Sequence, residues 1–138
     1  MRIIGLDLGE RRLGVAAADE AVRVAVPVAT VPVGADLLET VLSIVREQAA
    51  SQVVVGLPLS LTGTIGPQGQ RVMGVVQALQ QRLNIPVYTW DERFTTVEAG
   101  RRSHVSRRRR TRRPATSHRD AAAAAIMLQA FLDSQRAP

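Results

Sequence analysis

The sequence contains no cysteine and no lysine, and it has no long hydrophobic run. Without cysteine, the protein can form neither disulfide bonds nor thiolate metal sites. Its apolar stretches are the length of single β-strands, far shorter than a membrane span. The first residues lead directly into a predicted strand and lack the charged and apolar regions of a signal peptide. We therefore expect one soluble domain, residues 1–138, located in the cytoplasm and without a membrane partner.

All 18 basic residues are arginine, and they are unevenly distributed along the chain. Eight of them lie in residues 101–113, a segment without any acidic residue. Outside it, ten arginines face twelve acidic residues, a charge of −2, whereas the whole chain carries +6. A dense arginine block favours a nucleic-acid partner, because the guanidinium fork matches phosphate oxygens. The alternative is a solvated run without a partner.

The predicted nucleic-acid contacts in this segment are Arg107, Arg108, Arg109, Arg110, Arg112 and Arg113. We expect residues 101–117 to form a mobile connection, because closely spaced positive charges repel one another in the absence of phosphates.

Apolar periodicity predicts a mixed arrangement of strands and helices. The predicted strands are residues 1–9, 13–18, 22–31, 52–57 and 86–90. The predicted helices are residues 37–45, capped by Asp36, 72–83, 95–102, capped by Thr95 or Thr96, and 119–133. Residues 58–70 are predicted to be a long loop, and Pro27 places the third strand at a sheet edge. This order predicts an α/β fold: a mixed five-stranded sheet, antiparallel at first and then parallel, with helices on both faces.

Three acidic residues stand at the ends of predicted elements. Asp7 ends the first strand, Glu92 follows the fifth, and Asp120 begins the last helix. Parallel neighbouring strands open at the same edge of a sheet, where α/β proteins bind ligands. Converging carboxylates repel one another unless cations neutralise them, and Mg²⁺ prefers oxygen ligands. Two such ions can promote phosphodiester hydrolysis.

Each of these acids also has an ordinary structural interpretation. Asp7 could be a turn residue, Glu92 could pair with an arginine, and Asp120 could simply favour the helix dipole. Asp91 competes with Glu92 as a ligand, since the two side chains should point to opposite faces of the sheet.

Four stretches resemble the YqgF family, also called RuvX, and they occur in the family's order. They are Asp7-Leu8-Gly9 with Arg12-Leu13-Gly14-Val15-Ala16, Gly56-Leu57-Pro58-Leu59 with Gly63, Asp91-Glu92-Arg93-Phe94-Thr95-Thr96, and Asp120-Ala121-Ala122-Ala123 with Ile126-Met127-Leu128-Gln129 and Leu132. Members of the family have an RNase H-like fold, are similar to Holliday-junction resolvases, and are implicated in maturing the 5′ end of pre-16S ribosomal RNA. This chain has Phe94 where the family has leucine, and its basic segment is unusually rich in arginine.

The resemblance implies that Asp7, Glu92 and Asp120 are catalytic and bind Mg²⁺ or Mn²⁺, with Arg93 and Thr95 flanking them at the nucleic acid. It implies a nuclease for structured RNA, chiefly a ribosomal RNA precursor, acting as a monomer or homodimer. The nearest alternative is a Holliday-junction resolvase acting on branched DNA, which would need two active sites and hence a homodimer.

Two other function classes compete with a nuclease. One is a nucleic-acid-binding module without catalysis, in which the arginine segment carries the function. The other is an ATP-handling domain, because Asp-x-Gly after a first strand also opens actin-like kinases. That architecture needs two such domains, whereas 138 residues supply one, and the sequence has no Walker-type phosphate loop.

Overall fold

A computed structural model describes residues 1–94 and 116–135, without the side chains of residues 116–119. The strands are β1 (Arg2–Leu8), β2 (Arg12–Asp19), β3 (Val26–Pro32), β4 (Ala50–Leu57) and β5 (Val87–Asp91). The helices are α1 (Leu37–Glu47), α2 (Pro67–Arg82) and α3 (Thr116–Ser134). The strands form one sheet in the order β3-β2-β1-β4-β5. The pairs β1–β2 and β2–β3 are antiparallel, whereas β1–β4 and β4–β5 are parallel, which confirms the predicted mixed sheet.

The helices cover both faces of the sheet, as predicted. On one face, Ile4 and Val53 pack in a cluster that includes the apolar residues of α1 and α2. On the other face, Ile3 and Val54 pack against Leu128 and its neighbours in α3. Side chains alternate along a strand, so adjacent residues of β1 and β4 enter opposite cores. Both strands are central in the sheet, which explains their continuous apolar sequences.

The helix α3 lies very close to its face of the sheet. Ala121, Ala124 and Ala125 of α3 are buried, and their small side chains permit a short distance between the helix and the sheet. A Cβ atom added at Gly5 of β1 would lie 2.9 Å from the Cβ atom of Leu128. This close packing carries the first turns of α3 across the ends of β1 and β2.

The predicted start of the third strand is wrong. Residues 22–25 precede β3, which begins at Val26. A turn occupies this stretch, because the Asp19 carboxylate accepts hydrogen bonds from the backbone N–H groups of Ala21 and Val22, at 2.8 and 3.1 Å. Arg23 adopts a φ of 62°, which ends the extended conformation. β3 does lie at the sheet edge, as Pro27 predicts.

Two predicted helix starts also need correction. α2 begins at Pro67, so the preceding loop is residues 58–66. Proline is tolerated in the first turn because its missing N–H would have no partner within the helix there. α3 begins at Thr116, which removes the last two residues from the predicted mobile segment. The other predicted strand boundaries differ from the observed ones by one or two residues.

The predicted cap of α1 has the expected position but not the expected hydrogen bond. Asp36 precedes α1, but its side chain makes no capping hydrogen bond to the described backbone. Arg93 and Phe94 are helical, and the predicted caps Thr95 and Thr96 lie outside the described residues. The remainder of that predicted helix, residues 95–102, lies outside the described residues. In the part of the chain that the structure describes, no helix is long and apolar enough to cross a membrane.

Candidate active site

Two of the predicted acids meet at one edge of the sheet. Asp7 lies near the end of β1 and Glu92 immediately follows β5, on strands that run in the same direction through β4. Alternation along β1 places Asp7 on the α3 face, together with Ile3 and Gly5. Along β5 it places Glu92 on that same face, together with Trp90.

A hydrogen bond joins the carboxyl groups of Asp7 and Glu92. Burial, this hydrogen bond and the nearby charge of Asp7 raise the pKa of Glu92 to about 8. At neutral pH the pair therefore retains one proton, which joins the two carboxyl groups. Burial also raises the pKa of Asp7; the hydrogen bond from Glu92 opposes this rise and the charge of Asp120 adds to it. The two carboxyl groups therefore titrate as a pair.

Asp120 lies beside this pair, at the start of the described side chains of α3. Its Oδ2 atom is buried and has no hydrogen-bond partner among the residues that the structure describes. Such an atom is costly unless a cation or a donor reaches it. Within residues 1–94 and 120–135, no three acidic or histidine side chains form a complete group of metal ligands. The structure thus joins Asp7 to Glu92 directly, whereas Asp120 does not complete a group of three metal ligands with them in the described residues.

Glycines create the space that these acids occupy. Gly14 is the cross-strand partner of Asp7, and a Cβ atom there would lie 2.0 Å from the backbone oxygen of Asp120. A Cβ atom at Gly56 would lie 2.4 Å from Oε1 of Glu92. Neither position accepts a side chain unless an acidic residue moves. The sequence motifs include both glycines, but the contacts depend on segments far apart in the chain.

Asp91, the competing candidate for a metal ligand, is paired with Arg93. Its carboxylate accepts hydrogen bonds from the guanidinium of Arg93, the shortest being Nη2 to Oδ2 at 2.6 Å, and from the Arg93 backbone N–H at 2.9 Å. These interactions lower the pKa of Asp91. Of the two neighbours, it is therefore Glu92 that accompanies Asp7.

Arg93 borders the site, as the resemblance implies. Its guanidinium also lies near the loop after β4, where Nη1 is 3.5 Å from the backbone oxygen of Leu61. Gly63 of this loop has a φ of 84°, and a Cβ atom there would be 3.2 Å from the same nitrogen. Arg93 thus connects the segment that carries Glu92 to the loop. The other predicted nucleic-acid contacts, Thr95 and the six arginines between residues 107 and 113, lie outside the described residues.

Two residues that the sequence analysis did not single out hold the backbone after Asp7. The Nε2 group of Gln68 donates to the backbone oxygen of Leu8 at 3.1 Å, and Nη1 of Arg71 donates to that of Gly9 at 2.9 Å. Both donors come from α2, so the helix positions the end of β1. No local sequence signal marks them, since their partners lie about sixty residues earlier in the chain.

The titration of Glu92 yields a prediction for the protein in a metal chelator. Between pH 4.5 and about 8 the folded state retains a proton on Glu92 that the unfolded state releases. Raising the pH through this window therefore favours unfolding. We expect the free energy of unfolding, measured in urea, to fall across the window less steeply in Glu92→Gln than in the wild type. Asp36→Asn, at an exposed aspartate without a capping hydrogen bond to the described backbone, should keep the wild-type slope. Equal slopes in all three proteins would contradict the prediction.

Solved structures with the same arrangement of strands and helices define the class of this fold. The structure of T. thermophilus RuvC in complex with a Holliday junction substrate has a TM-score of 0.63 at 17% identity, covering 99% of this chain and 96% of that chain. The complex of the fowlpox virus resolvase with Holliday junction DNA has a TM-score of 0.62 at 12% identity, covering 98% and 99%. At these identities the likeness is one of fold. The protein has the RNase H-like fold that these resolvases share.

Sequence relatives place the chain within a family. The RuvX family model, described as "Holliday junction resolvase", matches residues 1–134. A relative from Thermoanaerobacter pseudethanolicus named "Putative pre-16S rRNA nuclease" is 39% identical over 142 residues, which cover 99% of each chain. A relative of the same name from Roseiflexus sp. is 40% identical over 137 residues, covering 98% of this chain and 96% of its own. The chain belongs to the RuvX family, which confirms the predicted resemblance.

Proposed function

We propose that this protein is a metal-dependent nuclease that processes the 5′ end of the precursor of 16S ribosomal RNA in the cytoplasm. The observation that carries the proposal is the half-buried Asp7–Glu92 pair, with Asp120 beside it, at the carboxyl edge of an RNase H-like sheet. The names of the two relatives at 39% and 40% identity support RNA as the substrate. Their chains match this one over nearly their whole length, so the likeness is not limited to one motif.

Asp7, Glu92 and Asp120 are the residues that would hold one or two Mg²⁺ or Mn²⁺ ions. They offer only oxygen ligands, which suit a hard cation. The buried Oδ2 atom of Asp120 has no hydrogen-bond partner among the described residues, so it is available to a cation. When bound, such an ion activates water and stabilises charge on the phosphate. The pair must release the proton on Glu92 before both carboxylates can act as ligands. Gln68 and Arg71 keep the end of β1 in place during this change.

The proposed activity is tested by cleavage assays on two substrates, a 16S rRNA precursor and a four-way DNA junction, each with and without Mg²⁺ or Mn²⁺. We expect metal-dependent cleavage of the RNA precursor near its mature 5′ end. Binding of both substrates without cleavage under any condition would contradict an enzyme and favour a non-catalytic nucleic-acid-binding module.

A Holliday-junction resolvase is the second candidate, favoured by the fold shared with two resolvases seen with junction DNA. Cutting a junction on two strands requires two active sites and hence a homodimer. Selective cleavage of the four-way junction by a dimeric species, with no cleavage of the RNA precursor, would favour this function over the first.

The arginine segment is proposed to bind the phosphate backbone, and a salt series tests this. Replacing Arg107, Arg108, Arg109 and Arg110 with serine should reduce affinity strongly and make its salt dependence shallower. Each lost phosphate contact should change the log–log slope by ~0.7 on single strands or ~0.9 on B-form DNA. Arg46→Ser, on the surface of α1, is the control and should leave the slope unchanged. An unchanged slope in the serine variant would place the nucleic-acid surface elsewhere.

The same segment leads into α3, which begins at Thr116 and carries Asp120 near its start. We propose that nucleic acid bound to it brings Asp120 towards Asp7 and Glu92, which would couple binding to catalysis. If so, a non-cleavable RNA should tighten Mn²⁺ binding in the wild type and not in the serine variant. Equal tightening in both proteins would contradict this coupling.

A further inference from the structure

All the aromatic residues of the chain, one tryptophan, one tyrosine and two phenylalanines, lie in one cluster. The ring centroids of Tyr88 and Phe131 are 5.8 Å apart, those of Trp90 and Phe131 are 6.1 Å apart, and those of Trp90 and Phe94 are 5.8 Å apart. Phe131, a residue of α3, is buried, but Phe94 is 64% exposed. The cluster therefore has a buried centre at Phe131 and exposed rings at both ends, Tyr88 at 42% and Phe94.

The Phe94 end of the cluster lies beside the acids. Trp90 and Phe94 are two residues before and two residues after Glu92, which is hydrogen-bonded to Asp7. β5, which carries this segment, is an edge strand, so the surface beyond it is not covered by another strand of the sheet. The guanidinium carbon of Arg93 is 6.0 Å from the centre of the Phe94 ring. An exposed ring, a cation and the carboxylate pair thus adjoin one another.

We propose that Phe94, supported by Trp90, stacks on an unpaired base of the nucleic acid next to the phosphate that is cleaved. The inference rests on the proposed function and adds a residue that selects single-stranded substrate at the cut. Every base has a flat π-face, and stacking on an aromatic side chain requires that the base be out of a duplex. The planes of Trp90 and Phe94 are inclined by 57°, so Trp90 supports the ring without stacking flat against it.

Affinity for a short single-stranded adenine RNA, measured by fluorescence anisotropy in a chelator, tests the inference without requiring cleavage. Phe94→Leu should bind about tenfold more weakly, and Phe94→Tyr, which keeps a ring, should bind like the wild type. The salt dependence should be the same in all three, because no charge has changed. Val22→Ala is the matched control: Val22 is 67% exposed but follows the opposite end of β2, far from Asp7, and its loss should have no effect.

The same RNA without its bases makes the test specific for stacking. The wild type should lose about tenfold on abasic RNA, whereas Phe94→Leu should lose much less, so that the two changes are not additive. The corresponding DNA strand should give the same pattern, since stacking does not use the 2′-hydroxyl group. The inference would be overturned if Phe94→Leu bound as tightly as the wild type. It would also be overturned if the substitution reduced affinity equally for intact and abasic strands. A change of oligomeric state in Phe94→Leu would likewise overturn it, and would identify the patch as a contact between copies of the chain.

These outcomes are separable from failure of the proposed function. If the wild type cleaves precursor RNA but Phe94→Leu binds normally, the stacking residue is wrong and the nuclease stands. If the wild type cleaves nothing, the proposed function fails. The affinities of the wild type and Phe94→Leu for intact and abasic RNA still decide whether Phe94 stacks on a base.

Discussion

Asp7→Asn is expected to reduce cleavage by more than about a hundredfold, since even loss of an outer-shell partner can cost that much in a metal site. The substitution removes a negative charge and changes the volume of the side chain very little. Asp7 is the acid that shares a hydrogen bond with Glu92, and the charge of Asp120 contributes to raising its pKa. The measurement is the rate of precursor cleavage at saturating Mg²⁺.

The fold and nucleic-acid binding should survive this change. Removing a buried charge relieves desolvation, so the melting temperature of Asp7→Asn in a chelator should equal or exceed that of the wild type. Asp36→Asn is a matched control, because Asp36 is exposed and its side chain makes no capping hydrogen bond to the described part of α1. A normal cleavage rate in Asp7→Asn would remove this site from the reaction.

Gly14→Ala is expected to have the largest effect on stability among single methyl additions to the chain. The new Cβ atom would lie 2.0 Å from the backbone oxygen of Asp120 and 2.5 Å from its carbonyl carbon. Backbone cannot rotate away as a side chain can, so α3 must shift off the sheet. Overpacking of this kind costs ~1–3 kcal/mol, and sometimes more. Displacing Asp120 should also abolish cleavage. Urea unfolding and the cleavage assay measure the two effects.

Two other glycines provide the comparison. Gly74→Ala lies on the exposed side of α2 with no described atom within 4 Å, and it should raise the free energy of unfolding by ~0.5–1 kcal/mol. Gly56→Ala meets the side chain of Glu92, which can move, so it should impair cleavage more than stability. A Gly14→Ala protein as stable as Gly74→Ala would show that α3 does not lie where the structure places it.

Much of the fold could be predicted because its signals are local. The apolar runs of β1 and β4 identified strands buried on both faces, and Pro27 identified an edge strand. The change from strand to helix spacing separated the antiparallel opening from the parallel remainder. Boundaries were less predictable where polar side chains or proline decided them, as at Asp19 before β3 and at Pro67 in α2.

The candidate site was predictable in outline for a related reason. Asp7 and Glu92 stand at the ends of strands that run in parallel, and such ends share one edge of a sheet. Alternation within a strand also indicated that only one of Asp91 and Glu92 could face Asp7. Which one did so depended on the face that α3 covers, and no periodicity within β5 reveals this.

Tertiary structure decided the rest, because it alone brings distant segments into contact. The shared proton of Asp7 and Glu92, the pairing of Asp91 with Arg93, and the clearances at Gly14 and Gly56 arise from such contacts. The residue types at the edge of the sheet follow from strand ends and alternation in the sequence. Their protonation and spacing follow from burial between the sheet and α3, which exists only once the chain has folded.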